Sequence, residues 1–268
     1  MMSSSVAVAR ASLVALGLAS VAAVWTRLAA SEARPTEWVA ASTSLRGRTS
    51  SQRHNAGLAA AALNRAIVMP GEVFSFNRRV RVWSSERGYL RAPVSQEGVL
   101  VRAVGGGVCQ VSTTLYNAVL VAGLPIIERH RHAVAPGYVP PGRDAAVAPQ
   151  SLDFRFRNTL ADPIRIRAEV AAGLLTVRLL AGRIPRASVT ILTRVLAVRS
   201  PRAIVAGGDD RANSGTPGRG AAGYRVVTYR CFHRAGREVR RERMSDDTYR
   251  AVDYLLEPTP QAGGIPGG

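Results

Sequence analysis

The spacing of apolar and polar positions changes several times along the chain, and each change predicts an element. Residues 54–66 hold good or neutral helix formers apart from Gly57, with Leu58 and Leu63 as the larger apolar groups, which predicts a helix. Met69-Pro70-Gly71-Glu72 reads as a turn, and Val73-Phe74-Ser75-Phe76 alternates as a strand does. Short strands are predicted over 88–94 and 98–104. Val111, Leu115, Val119 and Ala122 then recur at helical spacing and stop at Gly123 and Pro125. Pro125 to Val134 reads as a strand, and Tyr138 to Gly142, with its Pro140-Pro141 pair, as a loop. Residues 151–157, 163–170 and 174–181 alternate strongly, and the turns between them predict an antiparallel meander. Strands over Val189–Val198 and Gly223–Phe232 flank a glycine-rich stretch, and Arg234–Arg243 reads as a basic hairpin. The mixture predicts an α+β fold, antiparallel sheet packed against a few helices, one of which starts at the Cys109 loop.

The N-terminus carries an apolar stretch, residues 11–26, between Arg10 and Arg27. As a helix it spans roughly 24 Å, short of the ~30 Å hydrocarbon core. That length fits a signal-peptide core, with Leu28-Ala29-Ala30 as the cleavage region. An uncleaved anchor with Trp25 at the interface is the alternative. The expected organisation is a leader over 1–30, a tether over 31–45, a principal domain over 46–182, a strand-rich extension over 183–257 and a disordered tail over 258–268.

Export changes how the charge is read. The formal charge is +18, and the chain has no lysine, so every basic residue is arginine. With so much alanine this reads as codon bias, which makes single arginines poor functional clues. Outside the cell the available polyanions are wall polymers and the anionic membrane surface. Aromatic residues are few and do not cluster with arginine, which argues against nucleic acid as a partner. The two cysteines, Cys109 and Cys231, could form a disulfide in an oxidising compartment, which would rule out a nucleophile, although a pair so far apart in sequence is weak evidence for a bridge.

The candidate chemistry lies at Gly105-Gly106-Gly107-Val108-Cys109-Gln110-Val111-Ser112-Thr113-Thr114. Three successive glycines are costly to order and suit a place where backbone approaches something closely. Cys109 falls in the first turn of the helix that follows, near unpaired amides and the positive dipole end, a setting that favours thiolate. The plainer reading is core filler, since cysteine is among the most buried residue types. The polar neighbours Gln110, Ser112, Thr113, Thr114 and Asn117 argue against filler, because a buried helix has little use for them.

A thiol nucleophile needs a base, and the chain offers His54, His130, His132 and His233. The helix carries the chain roughly 20 Å away, and a strand from Pro125 returns it roughly 23 Å, which brings His132 level with Cys109. Alternation puts Glu128, His130 and His132 on one face, with Arg129 and Arg131 on the other. Asp144 or Glu128 could orient the imidazole. Amides of the Gly105–Gly107 loop could stabilise an oxyanion. Cys109, His130 and His132 also form a feasible three-ligand zinc set, although no second cysteine lies nearby.

The stretch from Arg53 to about Gly182 resembles the VanW domain. The matching pieces are Asn55 with its alanine-rich helix, Pro70-Gly71-Glu72-Val73-Phe74-Ser75-Phe76-Asn77, Gly88-Tyr89 and the Gly105–Asn117 segment. Glu128-Arg129 with His132, Gly142-Arg143-Asp144-Ala145-Ala146-Val147, and Asp153-Phe154 before Asn158 complete the resemblance. One departure is Val80-Arg81-Val82-Trp83-Ser84-Ser85, where the family usually has a Gly-x-Arg-Thr stretch. The resemblance implies an exported envelope protein, a cysteine L,D-transpeptidase acting on peptidoglycan stem peptides. The alternatives are a non-catalytic wall-binding module and a cysteine peptidase or amidase on the same substrate. No metal or organic cofactor is expected, because the acyl energy comes from the bond being broken. It implies Cys109 as nucleophile, His132 as base and Asp144 as orienting group. Gly106, Gly107, Gln110, Ser112, Thr113, Glu128, Arg129 and His130 are the candidate substrate-binding residues.

Overall fold

The computed structural model describes residues 35–96, 99–205 and 220–256. The predicted leader and tail lie outside these residues. Strand β1 (Thr36–Ser44) is followed by α1 (Ser50–Leu63), β2 (Ala66–Val68), β3 (Val73–Ser75) and a short helix α2 (Phe76–Val80). A ribbon of β4 (Arg91–Gln96) and β5 (Val99–Val104) leads into α3 (Val108–Val121), then β6 (Ile126–Glu128) and β7 (Arg155–Arg157). Strands β8 (Ile164–Ala171), β9 (Leu174–Ala181), β10 (Ser188–Arg199), β11 (Ala203–Val205), β12 (Gly223–Arg234), β13 (Arg237–Tyr249) and β14 (Tyr254–Leu256) complete the chain. This is the α+β class the pattern predicts. No helix among the described residues is long and apolar enough to cross a membrane.

The main sheet has the order β1-β9-β8-β2. Along β8, Ile164, Ile166 and Ala168 are buried while Arg165, Arg167 and Glu169 face water, so one side of the sheet is covered. The cover is α1 on β8 and α3 on β1 and β9. A second sheet, β10-β12-β13, packs against α3 through β10. The core between these layers holds Tyr116, Phe154 and Phe156, with Tyr116 meeting Phe154 edge-on at 5.5 Å between centroids.

Three expectations are corrected. Residues 36–44, read as tether, form β1, paired antiparallel with β9 through Thr36↔Ala181 to Ser44↔Leu174. Their apolar positions are too few to signal a strand, but β9 supplies the ladder. Strand β7 does not continue the β8–β9 hairpin; it pairs with β3 and β6 in a separate three-stranded sheet, and a turn closed by Asn158 on the Asp162 carbonyl separates it from β8. The predicted strand from Pro125 to Val134 ends at Glu128, and only a single bridge, His130↔Ala146, follows.

The motif residues act as clamps. Asn55, fully buried on α1, donates to the carbonyls of Leu90 and Gly106, both at 2.9 Å, and accepts from Leu90 N at 2.8 Å. One side chain thus joins α1, the Gly88-Tyr89-Leu90 segment and the glycine loop. Asp153 accepts from Ser75 Oγ at 2.5 Å and from Asn77 N at 2.9 Å, which fixes β3 and the start of α2. Asn158 closes the turn before β8 by donating to the carbonyls of Val68 and Asp162, each at 2.9 Å.

Candidate functional site

Cys109 lies in the first turn of α3, as its spacing predicts, and is partly exposed. The helix is buried on nearly every side, so its polar residues need partners within the protein. Gln110 donates to Thr43 Oγ1 at 3.1 Å and Ser44 O at 2.8 Å, and accepts from Arg48 Nε at 3.0 Å. Ser112 donates to Ala145 O at 2.6 Å, and Thr113 Oγ1 accepts from Ala145 N at 3.0 Å. Asn117 donates to the carbonyls of Thr113 and Arg143 at 2.7 and 2.8 Å. The polar residues that argued against a buried helix therefore belong to one. They staple α3 to β1 and to the 143–147 segment, and they hold the site rather than face it.

The glycine run is filled by the protein itself. Gly107 caps α3 at φ 113°, where its Cα meets the Gln52 carbonyl so closely that a Cβ would collide with it. Gly105, also at positive φ, lies under the Trp83 indole in the segment that departs from the family pattern. Gly106 abuts the backbone of Ala92 and Pro93 in β4. The close approach inferred from three glycines is to α1, Trp83 and β4.

The 129–132 segment departs from strand geometry after Glu128, and that departure builds the site. His130 turns to Glu128, with Nε2 and Oε1 2.9 Å apart. His132 turns instead to Asp144, where Nδ1 and Oδ2 are 2.6 Å apart and the His132 amide donates to the same oxygen at 2.7 Å. Arg129, expected to point away, donates from Nη2 to Asp144 Oδ1 at 2.9 Å and from Nε to the Asp144 carbonyl at 2.7 Å. Because an ionised carboxylate only accepts, Nδ1 of His132 carries the hydrogen, and Nε2 is left for the neighbouring Cys109 thiol. When protonated, the thiol donates to Val147 O at 3.3 Å.

The electrostatics follow from these contacts. Burial pushes Asp144 up, but the His132 hydrogen bond, the Arg129 charge and Tyr249 hold it at about 2. Burial lowers His132, while hydrogen bonds to Asp144 and Cys109 raise it to about 10. Burial pushes the Cys109 thiol up, yet the His132 hydrogen bond and charge bring it below its ordinary range, against opposition from Asp144. The site thus favours a thiolate beside an imidazolium, with an ionised carboxylate behind it.

Sequence reasoning missed four contributors. Tyr249 donates its hydroxyl hydrogen to Asp144 Oδ1 and accepts from Gly142 N at 2.9 Å. Asp247 takes both of its oxygens to Arg129 Nη1 at 2.7 Å, so Arg129 bridges two buried carboxylates. Both residues come from β13, far along the chain, and no local spacing signals them. Tyr138, in the proline loop, lies near Cys109, and burial pushes its hydroxyl far above the ordinary range. The Arg48 guanidinium sits 4.8 Å above the Tyr138 ring. A lone aromatic in a Pro-Gly loop was the only available sign of it.

Cys109 and Cys231 are both free, so no bridge occupies the thiol. The zinc set is not assembled, since His130 is taken by Glu128, and no trio of His, Cys, Asp or Glu suited to a metal ion occurs among the described residues.

The geometry defines an α+β domain built around a Cys–His–Asp constellation. Residues 51–180, just under half of the chain, match the family described as VanW like protein, so this segment is similar to that family. Over 129 residues the chain is 46% identical to the uncharacterized protein YoaR of Bacillus subtilis (strain 168), covering 48% of this chain and 43% of that one. It is 36% identical over 109 residues to the vancomycin B-type resistance protein VanW of Enterococcus faecalis (strain ATCC 700802 / V583), covering 39% and 40% respectively. The chain thus spans less than half the length of the curated relatives it matches. A solved structure, HP0197-G5, covers 27% of this chain and 95% of its own at 11% identity, but a TM-score of 0.15 carries no structural argument. Cys109, His132 and Asp144 all fall within the family match, whereas Asp247 and Tyr249 lie beyond it.

Proposed function

We propose that this protein is an exported cell-envelope cysteine acyltransferase, an L,D-transpeptidase acting on peptidoglycan stem peptides. The observation that carries the reading is the line from Asp144 through His132 to Cys109, in which the carboxylate fixes the imidazole and the imidazole favours the thiolate. The apolar stretch at 11–26 supports export, and the +18 charge suits an anionic envelope.

In the first half-reaction the Cys109 thiolate attacks the carbonyl carbon of a stem-peptide amide. The oxygen of the tetrahedral intermediate gains the negative charge, which the positive end of the α3 dipole favours, although the Val108 and Gln110 amides already donate to Gly105 O and Gly107 O. The His132 imidazolium gives its Nε2 proton to the departing amine, the C–N bond breaks and a thioester remains. In the second half-reaction an amine from a neighbouring stem attacks the thioester and His132 takes its proton. The new amide forms as the thiolate leaves. The energy of the broken amide is kept in the thioester, so the crosslink needs no nucleotide or other activating group.

The test is incubation of the full chain with purified muropeptides, followed by mass spectrometry, with Cys109→Ala alongside. Crosslinked dimers made by the natural chain and absent with the variant are the expected result. Trimmed monomers alone would make water the acceptor and the protein a peptidase. Absence of both products, or equal products from Cys109→Ala, overturns the reading.

A further inference from the structure

We propose that a cleft between the His132 segment and the C-terminal sheet is a binding site for the carboxylates of a peptide. The cleft has a volume of about 530 Å³ and is lined by Arg131, Arg199, Arg225 and Arg250, with Tyr249 and Ala133 among its other walls. That volume falls in the range of small-ligand sites. It is assembled where three strands end. Arg199 pairs with Gly223 at one end of the β10–β12 ladder, Arg225 pairs with Thr248 across β12–β13, and Arg250 donates its amide to Ala133 O at 2.8 Å.

The charge in this cleft is not neutralised by its walls. No acidic residue lines it, and among the described residues Arg131, Arg199 and Arg250 have no carboxylate within ion-pair distance. Arg225 has only the long contacts to Asp246, 3.4 and 3.5 Å. Arg131 is held in place by donating to His132 O at 3.0 Å and by lying 5.9 Å from the Tyr249 ring centre. Like charges gathered in a concavity repel one another and focus a positive potential, which an anion relieves. Guanidinium groups meet carboxylates through two parallel hydrogen bonds, a geometry that selects a planar anion. The apolar remainder of the lining, from Ala133, Ala197 and Val198, suits the chain between two carboxylates rather than a fully hydrated polymer.

Position ties the cleft to the thiol site. Arg131 and Ala133 flank His132 in sequence, and Tyr249, one of the cleft's lining residues, holds Asp144 through its hydroxyl. A peptide anchored there lies next to the residues that orient the imidazole. The choice of a stem peptide as the ligand rests on the acyl-transfer reading; the preference for carboxylate rests on the cleft alone.

The test uses full-length Cys109→Ala, which cannot turn over, and calorimetric titration with a free-acid stem peptide and with the same peptide fully amidated. The free acid is expected to bind at least about tenfold more tightly, the value of one good charged pair. Arg199→Ala/Arg250→Ala should abolish that preference. Arg165→Ala/Arg167→Ala, which removes the same charge from the exposed face of β8, should leave it intact. Equal binding of the two peptides, no binding of either, or an equal loss in the β8 variant overturns the site. So does a glycerol-phosphate oligomer that outcompetes the free acid. Iodoacetamide labelling of the natural chain separates this from the acyl-transfer reading, because an inert Cys109 would sink that reading without altering the measured anion preference.

Discussion

Tyr249 donates a hydrogen bond to the Asp144 carboxylate from 105 positions further along the chain. The same hydroxyl accepts from the Gly142 amide, so one oxygen fixes both the acid and the loop that carries it. Asp144 takes four donors in all, from Tyr249, Arg129 and two nitrogens of His132. The site is therefore completed by strand β13, outside the family match.

Tyr249→Phe keeps the ring and removes that oxygen. It leaves the buried Gly142 amide without its acceptor, a loss of about 1–3 kcal/mol. Urea unfolding should report this as a lower midpoint with an unchanged slope. Asp144 loses a donor to its charged form and should titrate higher by carbon-detected NMR.

The reactivity of Cys109 should depend on His132. Alkylation by iodoacetamide should reach half its maximal rate below the ordinary thiol value of about 8.5. In His132→Ala burial, the largest influence, and the Asp144 charge both push the thiol up, opposed by the Val147 contact alone. The alkylation rate near neutral pH should fall at least about tenfold in that variant. A variant as reactive as the natural chain would break the proposed link between ring and sulfur.

Asp144 and His132 set opposite limits on stability. The Asp144 carboxyl is held at about 2, below its ordinary value, so its contribution is complete above about 4 and is lost as pH falls through about 2. His132 is raised to about 10, so its contribution is complete below about 6.5 and is lost as pH rises through about 10. Unfolding free energy should be highest between about pH 4 and 6.5. Asp144→Asn should flatten the acid limb and lower the plateau by about 3–5 kcal/mol, since it strips a buried charge from Arg129.

Asn55→Ala should destabilise the fold by about 2–4 kcal/mol, because it leaves the Leu90 amide and the Leu90 and Gly106 carbonyls without partners. Asn55→Asp should recover little, as it can accept from Leu90 N but cannot donate to two carbonyls. Denaturant midpoints for both variants check this.

Much of the main domain was legible because its pattern is local. The alternation of Ile164, Ile166 and Ala168, and the stop signals at Gly123 and Pro125, gave β8, β9 and α3. The pairing of His132 with Cys109 was reached by helix and strand lengths, yet the chain follows another route. It leaves strand geometry at Glu128 because Arg129 is drawn into the buried pair of Asp144 and Asp247. That pull comes from β13, and no window around residue 129 contains it. Strand β1 was unreadable for a similar reason: its ladder is supplied by β9.

Helix α3 is walled in along nearly its whole length by β1, β9, α1 and β10. It cannot fray to release its first turn without dismantling the core, so Cys109 is presented as the fixed tip of a rigid rod. Labelling kinetics at this sulfur consequently measure ionisation and access, uncontaminated by breathing of the helix that bears it.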